Sequence, residues 1–289
     1  MGRIATNFDD QIKKLRSRGM IFDCSEDKVK ECLSDIGYYR LGFYWNPFEK
    51  DNNHNFIENT KFSDVINLYY LDVDLRNILT KYINRIEINF RTKIVYYVSN
   101  KFKQSPTWFI DPSIMENSFL EKIDKYYGSD FKRNNKAIKK HHEKYINDRY
   151  APAWKTLEFF TFGTILNIYR DIKDDDIRER ISKLFGINNV DKFGKLMASV
   201  VLIRNLCAHG DVMFDFGLPR ALPVMSNIVD KNDKTSLNAC IKVITFFLEK
   251  ISTNRKKDLD DEIKKLFYNY KENETIKKII TDKMKYSLE

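Results

Sequence analysis

With 289 residues, 43% of them hydrophobic and 14% aromatic, the chain is long enough to bury a full core, as one large or two modest domains, and too apolar for a disordered protein. Its 50 Lys and Arg against 41 Asp and Glu give a formal charge of +9, which favours anionic partners, either nucleic acid or an anionic membrane surface. No apolar run approaches the ~20 residues that span a bilayer, and the first residues lack the apolar centre of a secretory signal, so a cytoplasmic location is expected.

Apolar residues recur at intervals of three and four rather than two, which predicts an all-α fold. Phe8 to Arg18 reads as a short amphipathic helix ended near Gly19, and Ser25 to Ile36 as a second one capped by Ser25. Gly37 to Phe48 is an aromatic block containing Gly42 and Pro47, expected to be a compact connector or short helix, and Asp51 to Asn59 is a polar loop. The clearest element follows: Leu68, Leu71, Leu75, Ile78, Tyr82, Ile86, Phe90 and Ile94 form one stripe without Gly or Pro. This predicts a long helix, with Ser63 and Asp64 as start signals and Ser105-Pro106 beyond its end.

Phe119 to Arg149 is helical in period and strongly basic. After the Ala151-Pro152-Ala153 break come expected helices at Thr156 to Asp171, Asp175 to Phe185 closed by Gly186, and Asn189 to Ala208. The last of these buries Phe193, Leu196, Met197, Val200 and Ile203. Lys234 to Ile251 is one more core helix, and the lysine-rich tail from Arg255 reads as a solvated helical appendage. The divisions expected are an N-terminal helical and aromatic subdomain at 1–60, a helical core with a basic middle insertion at 61–252, and a helical tail at 253–289.

The four cysteines, Cys24, Cys32, Cys207 and Cys240, show no C-x-x-C spacing and read as reduced core residues, so neither disulfides nor zinc is indicated. Met1-Gly2 with Thr6 formally fits an N-myristoylation pattern, a short match that reads as coincidence. His141 and His142 are adjacent, point ~100° apart on a helix and make a poor chelate, and His54 lies in a polar loop. No metal and no cofactor are expected.

The chemistry concentrates in Arg204-Asn205-Leu206-Cys207-Ala208-His209, followed at once by Gly210. Asn205 and His209 are an i, i+4 pair on one helix face, while Arg204 lies ~140° around from His209. Arginine holds a fixed charge in a planar fork suited to phosphate oxygens, and histidine exchanges a proton near neutral pH. The bland alternative is that both only complement the helix dipole at its C-terminus. The proposed chemistry is metal-independent RNA cleavage by attack of the substrate's own 2′-hydroxyl, with His209 as general acid or base and Arg204 stabilising charge on the phosphoryl oxygens. DNA, lacking that hydroxyl, would be spared. Asn205 either orients His209, binds phosphate, or hydrogen-bonds backbone at the helix end.

The hexapeptide resembles the R-x-x-x-x-H signature, with Asn after the Arg, of the HEPN superfamily of helical ribonucleases and RNA-binding domains. Ile36 to Phe48, Arg85 to Ile94 and Pro152 to Tyr169 resemble, in order, one branch of it, the Abi-type abortive infection proteins. Where related chains continue with R-L-W/Y-N, this one reads GDVMFD. The resemblance implies a HEPN-like helical bundle and a phage-defence, toxin-like endoribonuclease whose composite site is completed in a homodimer. It also implies restraint by a noncoding RNA or protein partner. A rival reading from the same resemblance is a non-catalytic protein that holds a structured small RNA.

Glu87 and Arg91 are i, i+4 and would be a surface ion pair worth ~0.3 to 0.5 kcal/mol. The resemblance instead implies that they support the motif from an adjoining helix. Tyr38, Tyr39, Arg40, Tyr44 and Trp45 interleave aromatics with a cation, as bases and phosphate require, although most are expected in the core. Arg40 is the RNA-contact candidate there. Lys132, Arg133, Lys136, Lys139 and Lys140 form a basic face that is either merely solvated or tracks an RNA backbone.

Overall fold

The computed structural model describes residues 4–226 and 228–288, so Met1 and Gly2 of the acylation match lie outside the described residues. Among those residues every regular element is helical, with only isolated β-bridges between loops, and the fold is all-α. The chain forms two compact units. One comprises Met1–Ile78, Gly210–Phe216 and Asp261–Glu289; the other comprises Leu79–His209 and Gly217–Asp260.

The first unit begins with α1 (Phe8–Ser17), whose first turn is capped by Asn7 and whose end is followed by Gly19 at φ +94°. Ser25 caps α2 (Glu26–Asp35), and the aromatic block folds as α3 (Tyr38–Trp45) with a 3₁₀ turn at Asn46–Phe48. The long helix α4 (Phe62–Lys101) contributes its first part here. Its start is not signalled locally. Ser63 and Asp64 stand within its first turn, and the carboxylate of Asp23, forty residues upstream, accepts from the Ser63 N–H and hydroxyl.

The tail of the chain corrects the expectation of a solvated appendage. Ile263, Phe267, Ile276, Ile280 and Met284 are all buried, and Asn273 donates to Asp64 at 2.6 Å. These residues come from α14 (Thr253–Tyr268), α15 (Glu274–Lys278) and the turn after it. Charged residues dominate the composition, but the apolar ones fall on one face, and that face suffices for burial.

The second unit is organised around the ring of Phe90 in α4. It meets Phe162 and Tyr169 of α10 (Phe162–Asp171), Phe185 just after α11 (Asp175–Leu184), and Phe193 of α12 (Val190–His209) at centroid distances of 5.4 to 6.4 Å. Phe247 of α13 (Leu237–Ile251) closes the cluster against Phe185 and Phe193. Each such ring contributes ~2 to 3 kcal/mol by burial.

Two expectations in this unit change. The basic stretch Phe119 to Arg149 is four short helices: α5 (Asn117–Leu120), α6 (Ile123–Tyr126), α7 (Ser129–Asn134) and α8 (Lys136–Lys144). Gly128 and Asn135 interrupt it, and Tyr127 between α6 and α7 is buried, its hydroxyl accepting from the Ala151 N–H at 2.7 Å. The helix expected from Thr156 begins only at Phe162, because Thr161 caps it through the Thr164 N–H. Upstream lie α9 (Ala153–Thr156) and a 3₁₀ turn at Leu157–Phe159. Of the cysteines only Cys207 and Cys240 are buried; Cys24 is exposed and Cys32 partly so.

Candidate functional site

Asn189 opens α12 by accepting from the Lys192 N–H at 2.7 Å, and Gly210 at φ +70° closes it directly after His209. The expected stripe of Phe193, Leu196, Met197, Val200 and Ile203 is fully buried. That anchorage fixes the rotation of the helix, and with it the bearing of Arg204, Asn205 and His209. His209 is exposed at the last helical position, while Arg204 and Asn205 are half-buried.

Arg204 is held by α4. Its Nε lies 3.5 Å from Oε2 of Glu87, and the other carboxylate oxygen of Glu87 accepts from Arg91 at 2.8 Å. Arg91 also donates to the Phe160 carbonyl at 3.1 Å, and its Nε is buried without a partner. Glu87 and Arg91 are both about 8% exposed, so they are not the surface pair that spacing alone allows. Nη1 of Arg204 donates to the Asn205 side-chain oxygen at 3.3 Å, which turns that amide toward the arginine rather than toward the helix backbone. The structure thus brings Glu87, Arg91, Arg204 and Asn205 into one chain of contacts, with Arg85 on the exposed side of α4. A fixed cation oriented by a carboxylate, within about a turn and a half of an exposed imidazole, can hold a phosphodiester and exchange a proton with it.

Arg40 is turned inward in the first unit: it donates to the Gly210 carbonyl and lies 5.7 Å from the Tyr44 ring centre. Tyr44 and Trp45 are core residues, Tyr38 is partly covered, and Tyr39 is 82% exposed. In the basic segment Arg133 pairs with Asp130 at 2.6 Å and Lys139 with Glu143 at 3.9 Å, while Lys132 lies 5.4 Å from the centre of the Tyr127 ring. Lys136 and Lys140 are exposed. His141 binds Asp148 and His142 binds Tyr127, each at 3.0 Å, and His54 pairs with Glu49 at 2.8 Å. Among the described residues no group of three or more His, Cys, Asp or Glu is arranged to hold a metal, and no helix is long and apolar enough to cross a membrane.

Sequence reading overlooked Asp72 and Arg76. Asp72 is fully buried in α4 and accepts from the N–H groups of Met213 and Phe214, at 3.0 and 2.9 Å, and from the Tyr44 hydroxyl at 2.9 Å. Arg76 pairs with it and donates to the Asp211 carbonyl at 2.9 Å. Burial, followed by the neighbouring Asp72 charge, pushes the Tyr44 hydroxyl up to about 12. This cluster ties down the GDVMFD segment. Its signal was present: an Asp and an Arg at i, i+4 interrupting an apolar stripe.

Residues 31–215 match the family model of Abi-like proteins, which is well over half of the chain. The chain belongs to the Abi-like family. The matched span contains Glu87, Arg91, the whole of α12 and the segment that Asp72 secures, and it ends before α13. Membership in the Abi-like family points to abortive infection. No curated protein and no solved structure matches the chain.

Proposed function

We propose that this Abi-like protein is a metal-independent endoribonuclease of the HEPN type that acts in phage defence. The observation that carries the reading is the Glu87–Arg204 contact, which orients a phosphate-binding cation on the helix that ends in the exposed His209. In the reaction the ribose 2′-oxygen loses its proton and bonds to the adjacent phosphorus as the bond to the 5′-oxygen breaks. The products are a 2′,3′-cyclic phosphate and a 5′-hydroxyl. Arg204 stabilises the charge that builds on the non-bridging oxygens, while one group must remove the 2′-hydroxyl proton and another must supply a proton to the 5′-oxygen. Attack and departure lie on opposite sides of phosphorus, so one His209 serves one of them. A second copy supplies the other, which makes the working species a homodimer.

The test is incubation of wild-type and His209→Ala protein with total RNA in EDTA, with extraction of any nucleic acid that co-purifies. Cyclic-phosphate ends from wild type alone support the reading, with a ~10²- to 10⁴-fold loss in the variant. Intact RNA with one discrete bound species in both proteins would instead support the RNA-holding role. Protein that neither cuts nor carries RNA overturns both.

A further inference from the structure

The second unit carries a cavity of about 380 Å³ on the motif helix that the proposed cleavage step does not use. Ala198 and Leu202 of α12 form one side of it, and the stretch from Leu218 to Leu222 forms the other. That stretch is firmly built. The Leu218 N–H donates to the Thr235 carbonyl at 2.7 Å, the Leu222 N–H to the Lys234 carbonyl at 2.9 Å, and both leucine side chains are buried. The volume lies in the range of about 300 to 1,000 Å³ that small-molecule sites occupy.

The lining is apolar but for its charges and Ser199, whose hydroxyl donates to the Leu196 carbonyl at 2.7 Å. Arg170, Lys195 and Arg220 line the cavity, and no carboxylate does. All three are exposed, and none forms an ion pair among the described residues. Arg170 is held in place by donating to the Gly194 carbonyl at 2.8 Å. Three cations converging on an apolar hollow without a counter-charge favour a ligand that is anionic at one end and flat and apolar at the other. A nucleotide has that character: a phosphate for the cations and a base for the apolar walls.

The cavity is also in register with the motif. At ~100° per residue, Lys195, Ala198, Leu202, Asn205 and His209 fall within an arc of ~80° on α12. With a rise of ~1.5 Å per residue, Leu202 is ~10 Å and Lys195 ~21 Å along the axis from His209. A strand whose scissile phosphate sits at His209 can therefore follow one helix face into the cavity. We infer that this cavity is a nucleotide subsite for single-stranded RNA, holding a base against Ala198 and Leu202 and its phosphate on Arg170, Lys195 and Arg220, a few nucleotides from the cleaved bond. The inference deepens the ribonuclease reading and rests on it for the polarity of the site.

The test measures binding of a fluorescent 2′-O-methyl single strand, which cannot be cut, to wild type and to Lys195→Gln/Arg220→Gln, with circular dichroism confirming that both fold. Both side chains are exposed, and Arg170 with its backbone hydrogen bond is left intact. The paired variant is expected to bind on the order of tenfold more weakly, and its dependence of log Kd on log salt to be shallower by about 0.7 for each phosphate that is no longer neutralised. Equal affinity and equal slope in the two proteins overturn the subsite, whether or not the protein cuts RNA. Binding that weakens as expected in a protein that leaves natural RNA intact keeps the subsite and removes the nuclease. Saturable binding of adenosine monophosphate that does not compete with the strand would make this a free-nucleotide pocket, and wild type that fails to bind the strand overturns the inference outright.

Discussion

Glu87 of α4 and Arg204 of α12 meet with 3.5 Å between Oε2 and Nε, while the other oxygen of the same carboxylate holds Arg91 at 2.8 Å. One acid therefore positions two cations, Arg91 buried and Arg204 half-exposed.

The two roles separate by substitution. Glu87→Ala leaves Arg91, whose side chain is 10% exposed, with only the exposed Glu158 carboxylate at 3.9 Å, and should cost about 3 kcal/mol of stability. Glu87→Gln keeps an oxygen for Arg91 and should cost about 1 kcal/mol. In both, Arg204 loses its orienting charge, and kcat for RNA cleavage should fall about ten- to hundredfold with little change in KM. Thermal melts beside steady-state kinetics distinguish the stability effect from the positioning effect.

Asp72 should be among the most sensitive positions in the first unit. Asp72→Ala removes at once the acceptor of the Met213 and Phe214 N–H groups and of the Tyr44 hydroxyl, and the counter-charge of Arg76. A destabilisation of about 3 to 5 kcal/mol is expected in denaturant titration. In native-state hydrogen exchange, the amides of Met213 and Phe214 should lose their protection before those of α1 and α2.

Gly210 needs its left-handed conformation rather than its size. A Cβ there would meet only Arg40 Nη2, at an ordinary 3.8 Å, so the cost of Gly210→Ala is backbone strain at φ +70°. That is about 1 to 2 kcal/mol, and Gly210→Asn should cost less because Asn enters this region more readily. Equilibrium unfolding of the two variants should rank them in that order.

His142 gives the stability a pH dependence. Burial, then the charges of Lys132 and His141, hold its imidazole below the usual histidine value. The Tyr127 hydroxyl accepts from the Ala151 N–H, so its own proton goes to Nε2 of a neutral His142 at 3.0 Å. A histidine whose folded value is depressed stabilises fully above about 6.5 and loses that contribution as pH falls through the lower folded value. The melting temperature should therefore drop on acidification from about pH 7 toward 5, and His142→Gln should flatten that limb of the profile.

The stripe from Leu68 to Ile94 and the stripe from Phe193 to Ile203 were legible because helical period alone specifies which face is buried, and both are buried as read except Ile78, which is half-buried. The motif at Arg204 to His209 and the order of the blocks that led to the Abi-like family were equally plain. Boundaries were less so where the decisive group was distant or easily overlooked. Asp23 caps α4 from forty residues away, and Thr161 starts α10 inside what periodicity joins into one helix.

Sequence alone thus determined the helical class, the buried faces and the residue types at the motif, since these depend on local period and on side-chain chemistry. Only the tertiary structure decided that Glu87 faces Arg204, that Asp72 anchors Met213 and Phe214, and that Arg40 turns inward to Gly210. Those pairings join residues far apart in the chain, 142 positions for Asp72 and Phe214 and 170 for Arg40 and Gly210. Helical period says which face a residue occupies but not which distant face it meets, and that choice is made by how the apolar faces of all the helices pack together.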